Sequence, residues 1–205
     1  MRCVVLVALL AVAGLAQAAP REETWMSVTL DGRKIGHMQT LREERDGRIV
    51  TTQALDVQLE RAGIGVDLFS SETSEETADG KPLAFSARSR MSGSETLLEG
   101  RLRDDGQVEI TTRVGGQSQT HTAAWPAGAL LAEGLRRHAL RAGLAPGTRY
   151  SDLAYQPSSA DAVRVDTAVR AAESVDLPGG RRRLHRLEQT LALPGAPTQS
   201  TAWVD

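Results

Sequence analysis

Apolar and polar residues alternate along much of the chain with a period of two. In QVEITTRV (107–114), Val108, Ile110, Thr112 and Val114 fall on one side of an extended chain, and the charged residues fall on the other. The stretch AVRVDTAVR (162–170) repeats this pattern. Such alternation predicts β-strands with one face toward a core and one face toward solvent.

Short turn signals separate these segments. Asp-Gly pairs occur at 31–32, 46–47, 79–80 and 105–106, a Gly-Gly pair occurs at 115–116, and Pro-Gly-Gly occurs at 178–180. These dipeptides supply the positive φ angles of tight hairpins. Because such short connections cannot join parallel strands, the pattern predicts an antiparallel meander.

One segment departs from the alternation and predicts a helix over about residues 127–142. Pro126 suits a first helical turn, and Gly143 followed by Leu144 and Pro146 is a typical stop. Helical spacing places one stripe toward the interior: Leu131, Leu135, His138, Ala139 and Ala142. The predicted fold class is therefore mainly β (α+β), a curved antiparallel meander sheet packed around one principal helix. We interpret this helix as a structural cover for the sheet.

The first 18 residues have the pattern of a secretory signal peptide. Arg2 precedes an apolar run from Val4 to Leu15, and the small residues Ala16 and Ala18 suit cleavage after Ala18. An uncleaved anchor is the alternative, although the run is shorter than the roughly 20 residues that span a bilayer. No later run is apolar enough for a second span. We therefore expect a periplasmic or secreted protein whose residues 19–205 form a single β-rich domain.

The amino-acid composition argues against several classes of function. The 205 residues include 24 basic and 26 acidic side chains, with no long block of like charge, which argues against nucleic-acid binding. Cys3 is the one cysteine and would be removed with the signal peptide. The exported chain then has no disulfide, no thiolate nucleophile and no cysteine metal site.

No motif in the chain predicts a catalytic, cofactor-binding or metal-binding residue. The four histidines (His37, His121, His138 and His185) do not have metal-ligand spacing. Neither a nucleophile motif of the G-x-S-x-G type nor a phosphate or dinucleotide loop is present. We therefore predict that the chain is not an enzyme and uses no cofactor, the alternative being a hydrolase with a triad scattered over distant strands.

The densest charge cluster is GGRRRLHR, which contains Arg181, Arg182, Arg183 and Arg186. These arginines are candidates for contact with an anion, such as a phosphate or a carboxylate, or with an acidic partner. The alternative is a solvated hairpin arm balanced by Glu173, Asp176 and Glu188.

Several stretches together resemble the β-rich N-terminal region of exported bacterial transglutaminase-like proteins: DGRKIGH (31–37), DGKPLAF (79–85), WPAGALLAEGLRR (125–137), GLAPGTRYS (143–151) and residues 173–205. In that family the papain-like cysteine, histidine and aspartate belong to a separate domain further along the chain. The resemblance implies an export signal, a curved sheet around a helix, and a chain that is the N-terminal part of a longer protein.

Two functional hypotheses follow. The first is a non-catalytic periplasmic accessory domain associated with a transglutaminase-like or cysteine-protease-like module. Its partner would be a C-terminal catalytic domain of the same polypeptide or a component of the cell envelope. The alternative is a periplasmic carrier that encloses an apolar ligand in its curved sheet.

Overall fold

A computed structural model describes residues 21–61, 64–91, 93–177, 179–193 and 195–205. The predicted signal peptide with Cys3 and its cleavage site near Ala18 lie outside the described residues, as does Pro178 of the last predicted hairpin turn.

Eight strands form one antiparallel sheet, called sheet A here, in which every strand pairs with its neighbours in sequence. These strands are β1 (Arg21–Leu30), β2 (Arg33–Arg45), β3 (Arg48–Arg61), β4 (Ile64–Thr77), β5 (Pro82–Met91), β6 (Ser94–Leu102), β7 (Gln107–Val114) and β8 (Gln117–Ala124). The predicted antiparallel meander is confirmed.

The tight turns of sheet A follow the dipeptides that predicted them. Asp46 and Gly47 have φ angles of 51° and 73°, and Gly115 and Gly116 have φ angles of 55° and 83°. Two consecutive positive φ angles are the geometry that matches the right-handed twist of the flanking strands. Glycine or aspartate at these positions therefore fixes the register of each hairpin.

A second sheet, called sheet B here, follows in the order β13-β12-β11-β10-β9. Its strands are β9 (Ala129–Leu130), β10 (Arg149–Gln156), β11 (Asp161–Leu177), β12 (Gly180–Leu191) and β13 (Thr198–Val204). All pairs are antiparallel except β9 with β10, which is parallel. Val163, Thr167 and Val169 of β11 are buried, which confirms the alternation predicted for that segment.

The principal helix α1 spans Ala132–Ala142, so it begins five residues later than the predicted start at 127. The intervening residues Ala129 and Leu130 form strand β9, and Gly128 has a φ of 79° that a helix does not accommodate. The placement of Pro126 in the first helical turn was therefore wrong. The predicted stop is confirmed, because Gly143 ends the helix with a φ of 76° and donates its N–H to the carbonyl of Ala139 at 3.0 Å.

The predicted apolar stripe of α1 is not the part of the helix that is buried most deeply. Leu131, directly before the first turn, is 1% exposed, but the other four stripe residues are half-buried: Leu135, His138, Ala139 and Ala142. Within the helix the buried residues are Glu133 and Gly134. The sheet therefore holds α1 chiefly through polar groups at its N-terminus, a feature that hydrophobic spacing did not predict.

The main hydrophobic core joins sheet A to β9, β10 and the residue before the helix. From sheet A it takes Phe85, Ala87, Leu98, Val108 and Ile110, and from the other elements it takes Ala129, Leu131 and Tyr155. Trp125 is half-buried against this core, with its ring centroid 4.2 Å from that of Tyr155. We call the side of sheet A that carries Phe85 and Ile110 its inner face.

Candidate functional site

A carboxylate from the sheet binds the N-terminus of α1. Glu76, near the end of β4, is 0% exposed and accepts hydrogen bonds from the backbone N–H of Glu133 at 2.6 Å and of Gly134 at 2.9 Å. Ser74 donates a third hydrogen bond to this carboxylate at 3.0 Å. The first N–H groups of a helix have no partner within it, and the residue before α1, Leu131, offers no side-chain acceptor. Glu76 therefore replaces the usual N-cap side chain.

Glu133 in turn binds an arginine of β2. Arg42 Nε lies 2.8 Å from one carboxylate oxygen of Glu133, and Arg42 Nη2 lies 3.2 Å from the other. The Glu133 side chain is 1% exposed and that of Arg42 is 14% exposed, so the pair is largely withdrawn from water. Glu22 of β1 lies 3.4 Å from Arg42, and Arg136 of the helix lies 3.6 Å from Glu133. We call the residues Arg42, Ser74, Glu76 and Glu133 the ionic anchor.

The ionic anchor has the composition of a catalytic carboxylate pair but the geometry of a structural connection. Burial raises the pKa of Glu76, and this effect outweighs the hydrogen bonds that favour its charged form. Perturbed carboxyl groups are common in active sites, where a substrate must also be able to reach them. Here both carboxylates are at most 1% exposed, and their oxygens are occupied by backbone N–H groups, by Ser74 and by Arg42.

Two glycines allow the sheet and the helix to meet at this point. A Cβ atom on Gly80, which has a φ of +85°, would lie 2.8 Å from the Cα of Gly134, closer than real Cβ contacts. A Cβ atom on Gly134 would lie 3.0 Å from the carbonyl oxygen of Gly80. The loop after β4 and the first turn of α1 are therefore in backbone contact, which brings Glu76 within reach of the helix N–H groups.

The inner face of sheet A carries a second apolar region away from the helix. Met26 pairs with Met38, Met38 pairs with Leu55, Val57 pairs with Leu68, and Leu68 pairs with Met91. Residues paired in register point to the same side of a sheet, so these six share one surface, which we call the methionine face. Met26 is 43% exposed and Met91 is 56% exposed, whereas Val57 is 5% exposed.

On strands β1 to β4, a polar row separates the methionine face from the ionic anchor. Thr24, Thr40, Gln53 and Glu72 are paired side by side across β1 to β4, and they fall between the methionine pairs and the row that contains Arg42 and Ser74. The inner face of sheet A therefore has two apolar regions: the main core on β5 to β7, and the methionine face on β1 to β5, away from the ionic anchor.

The four arginines predicted to contact an anion do not form one cluster. Strand alternation puts Arg181 and Arg183 on one face of β12 and Arg182 and Arg186 on the other. Arg181 donates two hydrogen bonds to Asp176, at 2.8 and 3.2 Å, Arg186 lies 2.9 Å from Glu188, and Arg182 lies 3.8 Å from Asp205. Anion binding by these residues stays a prediction, and their geometry agrees with a balanced hairpin arm.

His138 is the histidine that the sequence placed on the apolar stripe. Its Nδ1 forms a hydrogen bond with the carboxylate of Asp152 on β10, and its ring lies 5.5 Å from that of Tyr150. Its side chain is 35% exposed. This contact ties the middle of α1 to sheet B. Among the described residues, no group of three or more His, Cys, Asp or Glu side chains is arranged to hold a metal ion.

Sequence reasoning missed both the ionic anchor and the methionine face. The anchor joins residues more than 50 positions apart, and no local spacing identifies them. Part of the methionine face had a detectable signal, since aligning the second hairpin on Asp46-Gly47 places Met38 opposite Leu55. Met26 did not, because it meets Met38 only through the bulge between Val28 and Thr29, and alignment on the first Asp-Gly turn alone would place it opposite His37. None of the described helices is long and apolar enough to cross a membrane.

Comparison with known proteins supports the fold. No protein-family model matches the chain, and no curated protein sequence matches it either. A crystal structure described as a beta-barrel-like protein of domain of unknown function DUF1849 from Brucella abortus is similar, with a TM-score of 0.58 and 11% sequence identity. The similarity covers 86% of this chain and 81% of that one. At this identity the likeness concerns architecture alone: this chain shares the fold of a beta-barrel-like protein.

Proposed function

We propose that this chain is a non-catalytic accessory domain of the bacterial cell envelope that holds an apolar surface of a partner module against its methionine face. The predicted signal peptide supports the envelope location. The partner would be a catalytic domain of the same polypeptide, as the resemblance to transglutaminase-like proteins suggests, or another envelope protein. The observation that carries the proposal is the partly exposed apolar face itself.

Methionine suits such a surface. Its unbranched side chain has three rotatable bonds and a polarizable sulfur, so it adapts to apolar partners of different shape. All three methionines of the described chain (Met26, Met38 and Met91) lie on this face. An apolar patch that remains exposed on one side of a sheet commonly marks an interaction site.

A carrier of an apolar ligand is the second candidate, because the same face would also accept an alkyl chain. Five surface concavities of 200 to 550 Å³ are lined largely by polar and charged side chains, and Leu68 is the one methionine-face residue among their linings. Ligand pockets are usually enclosed and apolar. A partner that brings its own surface therefore fits better than a small ligand.

Photo-crosslinking in the exporting cell separates the two functions. A benzophenone side chain is introduced at Met26 or Met91, with Arg101 on the opposite face as the control position. The accessory function predicts a protein adduct of defined mass at both methionine positions and none at Arg101. Adducts of lipid mass alone would support the carrier and contradict the accessory domain. If neither methionine position gives an adduct above the control, both functions are refuted.

A further inference from the structure

Strand β8 is a free sheet edge without the features that usually prevent edge-to-edge pairing. In the described part of the chain, β8 pairs with β7 alone, and all eight of its residues are exposed. Its sequence, QSQTHTAA, contains no Asp, Glu, Lys, Arg or Pro. Natural proteins usually protect such an edge with charges, proline, a bulge or a covering element, because its unpaired backbone groups bind other strands.

The other edge of sheet A is protected in the expected way. Strand β1 begins with the charged residues Arg21, Glu22 and Glu23, and its register shifts between Val28 and Thr29. Charged residues and a bulge are therefore present on β1 and absent from β8, although both are edge strands of the same sheet.

The hairpin geometry identifies which backbone groups of β8 are available. The two-residue turn at 115–116 makes Val114 and Gln117 a hydrogen-bonded pair, and alternate residues of β8 repeat this bonding to β7. The N–H and C=O groups of Ser118, Thr120 and Thr122 therefore point away from the sheet. Their side chains lie on the outer face, where Thr120 Oγ1 is hydrogen-bonded to Thr111 Oγ1 at 2.9 Å.

We propose that β8 is a self-association edge, at which two copies of this chain pair antiparallel with Thr120 opposite Thr120. In this register Ser118 lies opposite Thr122 and Gln119 lies opposite His121, so no like charges face each other. Threonine and serine pairs across antiparallel strands are favourable, and the pair at the two-fold axis would extend the Thr111–Thr120 hydroxyl contact into the second copy.

A second copy of the chain suits this edge because symmetric pairing gives a closed dimer. Pairing through a two-fold axis uses both β8 edges at once, so assembly stops at a dimer. Pairing of β8 with the β13 edge of another copy would instead leave one free edge at each end and would grow into a polymer. Eight residues per copy are fewer than the roughly 20–30 per side of a stable interface, so the dimer should dissociate on dilution.

Sedimentation velocity over about 5 to 500 µM protein tests the proposal with a charge exchange at Thr120. The unmodified protein should shift from monomer to dimer as concentration rises. Thr120→Lys and Thr120→Glu should each remain monomeric, because like charges then meet at the axis, and an equimolar mixture of the two should dimerise at least as well as the unmodified protein. Thr120→Pro should also remain monomeric, since it removes an outward N–H without affecting the bonds to β7.

Thr201→Lys on β13 is the matched control, because it places the same charge on a second uncharged edge strand, in sheet B. It should leave dimerisation unchanged. Far-ultraviolet circular dichroism of each variant confirms that the sheet is intact. The proposal is overturned if the unmodified protein stays monomeric at about 500 µM, if both charged Thr120 variants still dimerise alone, or if Thr201→Lys abolishes association.

Discussion

Replacing Arg42 by methionine tests whether the ionic anchor holds the helix. The substitution keeps a long aliphatic side chain but leaves the carboxylate of Glu133, which is 1% exposed, without its bidentate partner. Among the described residues Arg136, at 3.6 Å, is then the nearest cation to this carboxylate, and it makes no direct hydrogen bond to it. Removing one partner of a buried ion pair costs about 3–5 kcal/mol, and we expect the free energy of unfolding to fall by that amount.

The double variant Arg42→Met/Glu133→Leu gives the sharper test. Replacing both members of a buried pair by apolar residues is often neutral, so the double variant should unfold within about 1 kcal/mol of the unmodified protein. Arg88→Met is the control, because Arg88 and its partner Glu95 are 54% and 46% exposed and such pairs contribute at most about 1 kcal/mol.

Urea unfolding followed by circular dichroism and tryptophan fluorescence measures all three variants, with the midpoint and slope fitted together. The reasoning about the anchor is refuted if Arg42→Met costs no more than Arg88→Met. It is also refuted if the double variant is as unstable as Arg42→Met alone, because the damage would then not come from an unpaired Glu133 carboxylate.

Three further predictions concern single residues of the same region. Because burial raises the pKa of Glu76, protonation of this carboxyl favours the folded state. The stability of the unmodified protein relative to Glu76→Gln should therefore increase as pH falls toward 4.5 and decrease as pH rises through the raised pKa. A pH-independent difference between the two urea midpoints would contradict this. Gly80→Ala should lower the free energy of unfolding by about 1–3 kcal/mol more than Gly47→Ala does. Both glycines have a positive φ, but only a Cβ at Gly80 would meet the helix. Equal melting temperatures of the two variants would show that the close approach is unimportant. Tyr155→Phe should leave the free energy of unfolding unchanged or raise it by up to about 1 kcal/mol, because the buried hydroxyl has no hydrogen-bond partner among the described residues. Burial also raises the pKa of this hydroxyl to about 12. A clear fall in the free energy of unfolding, measured by chemical denaturation, would mean that the hydroxyl does have a partner.

The sheet could be predicted from sequence because its determinants are local. A turn dipeptide such as Gly115-Gly116 specifies a tight antiparallel hairpin, and the alternation beside it specifies which side is buried, as Val108 and Ile110 show with exposures of 1% and 2%. Each of these signals lies within about ten residues. The grouping of strands into an eight-stranded and a five-stranded sheet depends instead on contacts distant in sequence.

The helix was predicted less accurately because its N-terminus is determined by tertiary contacts. Pro126 satisfies the local rule for a first turn, yet β9 extends the chain through Leu130, where it pairs with β10. The first helical N–H groups then find an acceptor in Glu76, more than 50 residues earlier. Hydrophobic spacing could not detect this acceptor, because buried carboxylates are rare and follow no local pattern.

The position of the ionic anchor explains why the helix leaves part of the inner face uncovered. Eleven helical residues extend about 16 Å, whereas a 14-residue strand such as β3 extends about 46 Å, so α1 covers a minor part of the strands it crosses. Glu76 and Arg42 lie near the same end of sheet A and hold the helix there. Met26, Met38 and Met91 lie on the far side of the polar row from the anchor, toward the other end of these strands. Because apolar side chains gain about 25 cal/mol for each Å² removed from water, this face gains stability from any apolar surface that packs against it, which is the physical basis of the proposed docking role.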